Sequence, residues 1–210
     1  KYGNDKATRF HNKKALLRIK PGTIGRDPHF KCLLCKRQHD DPKCTYSCYK
    51  KMRGKFNIAS KKLEIRKTNS VGDGNHQEKD CPPVYGIFVK DGQRIRKDEW
   101  LGEYIGRLIP SDLPHMEWSD YVYTLDGGDF SDQPLDVPRL QPLEIDSLQL
   151  GNWTRFMNHH CKPNVSATDT QAGKIRMMGF KANRTIEANQ EVFINYGTAY
   201  FTGRGWQCRC

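Results

Sequence analysis

No segment of this chain approaches the roughly 18 consecutive apolar residues that a membrane-spanning helix needs. That absence predicts a soluble protein with no membrane partner. Internal repeats and long heptads are missing too, which excludes a solenoid or an extended coiled coil. Nothing at the start reads as a signal peptide, although Lys1 rather than Met opens the sequence, so upstream targeting stays open. Acids are scarce in the front: residues 1–83 hold 21 Lys and Arg against 8 Asp and Glu. Hydrophobic residues make up 36% of the 210 and charged ones 28%. This is the balance of a globular chain, long enough for one ordinary domain and a smaller accessory module.

The charge that is present is unevenly placed. Residues 84–210 carry 14 bases and 16 acids, and nine of those acids lie within residues 111–146, where Arg139 is the one Lys or Arg. A basic front attracts phosphate backbones with strong salt dependence. An acidic middle attracts a cationic partner such as a Lys/Arg-rich peptide. Either run alone would be an ordinary solvated face.

The eight cysteines are clustered: Cys32, Cys35, Cys44 and Cys48 in front, then Cys81 and Cys161, then Cys208 and Cys210. Close spacing of this kind points to thiolate zinc ligands and a reducing intracellular compartment rather than to scattered disulfides. Cys32-x2-Cys35-x8-Cys44-x3-Cys48 suits a tetrahedral structural zinc, with His39 as an alternative ligand. The competing reading is a set of buried or unpaired thiols.

Residues 49–80 pass from a Lys-rich, helix-compatible stretch into loop composition around Thr68–Asn75. Cys81-Pro82-Pro83 marks a boundary, because two prolines stop helices and sheet interiors alike. Beyond it, residues 85–89, 100–106, 121–125, 176–180 and 191–196 are short β-prone segments punctuated by Gly or Asp. The expectation is a mostly β or α+β fold of many short strands.

The densest signal is Gly151-Asn152-Trp153-Thr154-Arg155-Phe156-Met157-Asn158-His159-His160-Cys161-Lys162-Pro163-Asn164. Taken singly, these residues make capped turns and packed thiols. Taken together, the string resembles the RFxNHxCxPN signature of SET domains. Val84–Phe88 resembles the family's opening motif, Gly102–Gly106 its EYxG strand, and Ser119–Asp126 its central Tyr-bearing strand. Glu191–Gly197 is similar to the closing ExxxxYG motif, and Trp206–Cys210 to the start of a post-SET tail.

The resemblance implies an S-adenosylmethionine-dependent protein-lysine methyltransferase acting on a histone tail, H3 first among them, in nuclear chromatin. It leans to the branch that methylates lysine 9. It implies small curved β-sheets with a C-terminal pseudoknot, plus a small zinc-binding N-terminal region. The expected division is an accessory pre-SET-like region over 1–82, a SET domain over 83–197 with an insert near 111–140, and a partial post-SET tail over 198–210. By motif position, Tyr196 is the catalytic tyrosine and Tyr121 lines the same pocket and touches the cofactor. Asn158, His159, Val84, Tyr85 and Trp206 bind S-adenosylmethionine, and Ile194 occupies the position that tunes product multiplicity. Cys161, Cys208 and Cys210 match ligands of a post-SET zinc whose fourth cysteine lies beyond this sequence. Nucleosomal DNA is the expected partner of the basic front.

Several positions depart from the family pattern. Val84 replaces the usual glycine, Tyr85 the commoner tryptophan, Asn195 a frequent aspartate, and Ile194 the usual Phe or Tyr. Four front cysteines are also fewer than the pre-SET cluster of the lysine 9 branch carries. The rival readings are a methyltransferase for a non-histone protein and a non-catalytic chromatin-binding module with the same fold.

Overall fold

The computed structural model describes residues 31–37, 41–68, 84–110, 119–125, 143–173, 175–203, 205, 207 and 208. The basic segment 1–30, Cys81-Pro82-Pro83, most of the acidic insert, His39, Trp206 and Cys210 lie outside them.

The first helix among the described residues, α1 (Tyr46–Ser60), forms where the Lys-rich stretch was helix-compatible. Cys48, Met52, Phe56 and Ala59 are its buried positions, spaced so that they share one face. Thr45 Oγ1 accepts the Ser47 N–H at 3.4 Å, satisfying one of the first-turn donors that a helix leaves open. Strand β1 (Leu63–Lys67) follows directly and was not legible as a strand, because its LEIRK sequence offers only two apolar residues.

The remaining elements are β2 (Tyr85–Val89), β3 (Trp100–Glu103), β4 (Arg107–Pro110), β5 (Val122–Leu125) and β6 (Leu143–Asp146). A 3-10 turn at Trp153–Phe156 leads into β7 (Asn158–His159). The chain closes with β8 (Val165–Ala172), β9 (Ile175–Ala182), β10 (Glu191–Ile194) and α2 (Thr198–Thr202). The β-rich expectation holds, and the strands are short.

They form three small sheets, ordered β1-β2-β10-β7, β3-β9-β8 and β4-β6-β5. In the first, β10 lies between an antiparallel neighbour, with Val192 opposite Ile87, and a parallel one, with Ile194 opposite His159. The closing ExxxxYG motif is thereby hydrogen-bonded to the NHxC motif. In the second, seven of the eight residues of β9 are buried, as befits a central strand covered on both faces. Its buried Arg176 is paired at two points with Asp169, Nε to Oδ1 at 2.9 Å, so the charge is not left alone in the interior.

The described residues fall into two compact units that interleave along the chain. One holds the residues up to Gly54, Glu103–Arg155 and Asp169–Gly179; the other holds Lys55–Gly102, Phe156–Thr168 and Phe180–Cys210.

Candidate functional site

The second unit gathers most of the residues that the motifs singled out. Asn158, on β7, donates its side-chain N–H to the Tyr85 carbonyl at 3.1 Å and to Glu191 Oε1 at 2.7 Å. A single amide thus fixes the start of β2 against β10. Gly86 sits in that junction, and a Cβ there would lie 2.1 Å from Glu191 Oε1, so only glycine fits. Val84 is half-buried just before β2, while the Tyr85 ring is 39% exposed and meets Phe156 edge to face at 6.3 Å.

His159 is buried between Tyr196 and Phe201, with ring centroids 5.5 Å and 4.7 Å away. Its Nδ1 accepts the backbone N–H of Tyr196 at 3.0 Å, so the ring proton belongs on Nε2. Burial, helped by the neighbouring charge of His160, pushes its pKa below the usual histidine value and keeps the ring neutral. The Tyr196 hydroxyl donates to the Met157 carbonyl at 2.7 Å. Tyr196 is therefore anchored at its backbone by one motif residue and at its hydroxyl by another. Tyr200 packs against its ring at 4.7 Å. Ile194 is buried at 4% exposure, one strand over from His159.

Cys161, Cys208 and His159 also converge, with Cys161 Sγ 3.4 Å from Cys208 Sγ and 3.6 Å from His159 Nε2. Two close thiols suit a soft cation. A nitrogen that carries a proton cannot ligate, so His159 is suited to hold the thiolate by an N–H···S bond rather than to join the metal.

The first unit holds Tyr121, half-buried, with the Arg155 guanidinium stacked 4.1 Å over its ring. Its carbonyl accepts from the Tyr104 hydroxyl at 2.8 Å and from the Ser147 N–H at 2.9 Å, which fixes the backbone of the strand it introduces. Burial raises the Tyr104 pKa well beyond the ordinary phenol, so that hydroxyl stays a donor. Arg155 was legible as a motif letter but not as the residue that packs Tyr121.

The same unit contains the front cysteines. Cys32, Cys35, Cys44 and Cys48 bring their four Sγ atoms within 4.8 Å of one another, the convergence a tetrahedral metal needs. Burial alone would push the Cys32 thiol up, but N–H groups of Cys35, Gly173 and Leu34 outweigh it and hold it at about 7. Burial and hydrogen bonds with Cys35 and Cys32 push Cys44 up. The Gly173 N–H lies 3.3 Å from Cys32 Sγ, and Leu33 N–H donates to the Gln171 carbonyl at 2.8 Å. The β8–β9 turn therefore clasps the cysteine loop. Sequence reasoning missed this, since residues 32 and 173 are joined only by folding. Four convergent thiols are a donor set compatible with zinc.

A family model described as the SET domain matches residues 85–197, more than half of the chain. The chain belongs to the SET domain family. The human histone-lysine N-methyltransferase EHMT1 is 28% identical over 173 residues, which cover 78% of this chain and 12% of that protein. The Arabidopsis thaliana histone-lysine N-methyltransferase MEDEA is 33% identical over 119 residues, 53% of this chain and 15% of its own length. The solved structure of the Neurospora SET domain protein DIM-5, a histone lysine methyltransferase, aligns with a TM-score of 0.50 at 25% identity, covering 65% of this chain and 52% of that one. This SET domain chain thus spans 12% to 15% of the length of these curated relatives.

Proposed function

We propose that this SET domain chain is an S-adenosylmethionine-dependent protein-lysine N-methyltransferase that acts on a histone tail in nuclear chromatin. The observation that carries the proposal is the double anchoring of Tyr196, by His159 at its backbone and by Met157 at its hydroxyl. A site that holds one phenol this firmly is built for alignment, which supplies much of the rate in an in-line transfer.

S-adenosylmethionine supplies an electrophilic methyl group on a cationic sulfonium. Val84, the exposed Tyr85 ring and the Asn158 amide offer the aromatic surface and polar groups that an adenosyl amino acid needs, and Trp206 is assigned to the same role. Tyr196 would present its hydroxyl to the transferring methyl and the lysine nitrogen. Its bond to the Met157 carbonyl polarises that hydroxyl and fixes its direction. Tyr121, with Arg155 stacked on its ring, is assigned by motif position to contact the lysine stem. A free lysine has a pKa near ~10.4 and is mostly protonated at neutral pH. Aromatic side chains would dehydrate the ammonium and the like charge of a bound sulfonium would repel it; both would lower that pKa and favour the neutral amine. His159 stays neutral and leaves the proton economy of the site undisturbed.

Residues 1–82 are assigned as the accessory region, 83–197 as the catalytic SET domain and 198–210 as a post-SET tail. Zinc is assigned to Cys32, Cys35, Cys44 and Cys48, and a second zinc to Cys161, Cys208 and Cys210. Histone H3 is the proposed substrate, with lysine 9 as the leading position, and nucleosomal DNA the partner of the front. The deciding experiment is mass spectrometry of histones and nucleosomes incubated with folded, zinc-loaded protein and S-adenosylmethionine. Methyl groups on a tail lysine are expected. Cofactor binding without any lysine methylation would favour the non-catalytic chromatin-binding module instead, and methylation of non-histone proteins alone would move the substrate class.

A further inference from the structure

Helix α1 carries Lys50, Lys51, Arg53 and Lys55 and no acid along its 15 residues. Its buried positions, Cys48, Met52, Phe56 and Ala59, point one way. Lys50, Lys51, Lys55, Ser47, Asn57 and Ile58 are exposed. Among the described residues none of these lysines makes an ion pair. Lys50 Nζ lies 5.6 Å over the Tyr46 ring and the Arg53 guanidinium 5.9 Å from the Tyr49 ring, contacts that hold two cations extended along the helix.

Two features of this face are left unexplained by the fold. Gly54 lies one helical turn beyond both Lys50 and Lys51 and is therefore their surface neighbour. A Cβ added there would meet nothing within 4 Å, so neither packing nor a turn requires glycine, which is disfavoured inside an exposed helix. Next along the same stripe, Ile58 is 63% exposed. A bare backbone patch flanked by lysines suits close approach by a regular anionic surface, and an isoleucine at its end suits the apolar edge of a sugar.

We infer that the exposed face of α1 is a docking surface for the phosphate backbone of duplex DNA. The helix is about 22 Å long at 1.5 Å per residue, and a duplex presents a charge every ~1.7 Å of axis, so phosphates are dense enough to meet the exposed Lys50, Lys51 and Lys55. The surplus of base over acid throughout residues 1–83 extends the same complementarity. Backbone contact of this kind is independent of sequence and salt-dependent. This docking role deepens, and rests on, the assignment of nucleosomal DNA to the front of the chain. It is independent of methyl transfer, so its failure and that of the proposed activity are told apart by binding without cofactor.

The experiment is fluorescence anisotropy with a mixed-sequence duplex and the full chain across a salt titration. The triple variant Lys50→Gln, Lys51→Gln, Lys55→Gln should lower the slope of log affinity against log salt by about 2 to 3, at roughly 0.9 per lost contact. Arg94→Gln with Lys97→Gln, which removes exposed cations between β2 and β3, should change it far less. Gly54→Ala should raise the melting temperature and yet weaken binding. Equal slope losses in the two charge variants would overturn the assignment, as would undiminished affinity in Gly54→Ala. Stronger retention on an acidic polypeptide or on phosphatidylserine vesicles than on the duplex, at matched salt, would also overturn it.

Discussion

Tyr196 shows how one residue divides its structural and chemical duties. Its backbone N–H and its hydroxyl are both committed, to His159 and to Met157. Tyr196→Phe removes one neutral hydrogen bond, a stability change of about 1 kcal/mol. If Tyr196 holds the proposed catalytic role, the same change should lower methyl transfer by about 100-fold or more, with cofactor affinity within a few-fold. A folded Tyr196→Phe protein with near-normal turnover would refute the assignment. Ile194 occupies the position proposed to set how many methyl groups are added. It is buried and has no donor or acceptor, so it cannot anchor a water beside the amine. It also leaves more room than Phe for a methylated nitrogen to turn. A peptide time course under excess cofactor should pass beyond monomethyl-lysine, and Ile194→Tyr should stall earlier. A parent enzyme that stops cleanly at one methyl would show the idea wrong.

At the scale of elements, α1 and the β8–β9 turn hold the cysteine loop from two sides. Tyr49 on α1 donates its hydroxyl to both oxygens of the buried Glu103 carboxylate, at 2.9 and 3.1 Å. Glu103 ends β3 and accepts the Asn152 side-chain N–H on its carbonyl at 3.0 Å. The accessory cysteines are thus tied to the opening of the RFxNHxC loop. Tyr49→Phe should cost about 1.5 to 3 kcal/mol, the range for a hydrogen bond to a charged group, read by denaturant unfolding. Burial, then the Glu103 charge, raises the Tyr49 pKa. A raised folded pKa contributes stability that is complete below the unfolded value near ~10 and is lost as pH climbs above it. Alkaline unfolding should accordingly be shallower in Tyr49→Phe; an unchanged profile would remove Tyr49 from the account. Gly173 closes the clasp. Its φ is +62°, and a Cβ would stand 2.4 Å from the Thr45 carbonyl oxygen, so Gly173→Ala combines strain with a backbone clash. Elemental analysis should find zinc in the parent and a loss of it in this variant. Zinc-free active parent protein would contradict the metal site.

Over the whole molecule the charge asymmetry predicts a division of labour. Residues 1–30 carry eight Lys and Arg and two acids, while β1 and the cysteine loop lie beyond them. Their removal should weaken nucleosome affinity and flatten its salt dependence, with activity on a free peptide less affected. Equal affinity with and without them across a salt titration would exclude the role. Removing everything to residue 82 is a poorer test, because it deletes β1, which pairs with β2 along five residues from Leu63–Val89 to Lys67–Tyr85.

The family motifs were legible in the sequence because they are written in contiguous residues. Asn158 and His159 adjoin each other, and Tyr196 follows the short apolar, β-prone run Val192-Phe193-Ile194. The cysteine spacing likewise restricted what the front loop could hold. Strand β1 was not legible, since its residues are mostly charged and only pairing with β2 makes them a strand. Nor was the role of Glu191, which seemed a motif letter and proves to anchor Asn158, or that of Arg155 over Tyr121. The order of the sheets, with β10 between β2 and β7, joins segments far apart in the chain. Sequence by itself determined the family, the clustering of the front cysteines and the basic surplus of the front, because residue type and local spacing carry them. Only the tertiary structure decided which groups restrain which, because a hydrogen bond such as Gly173 to Cys32 depends on distance in space, not on separation along the chain.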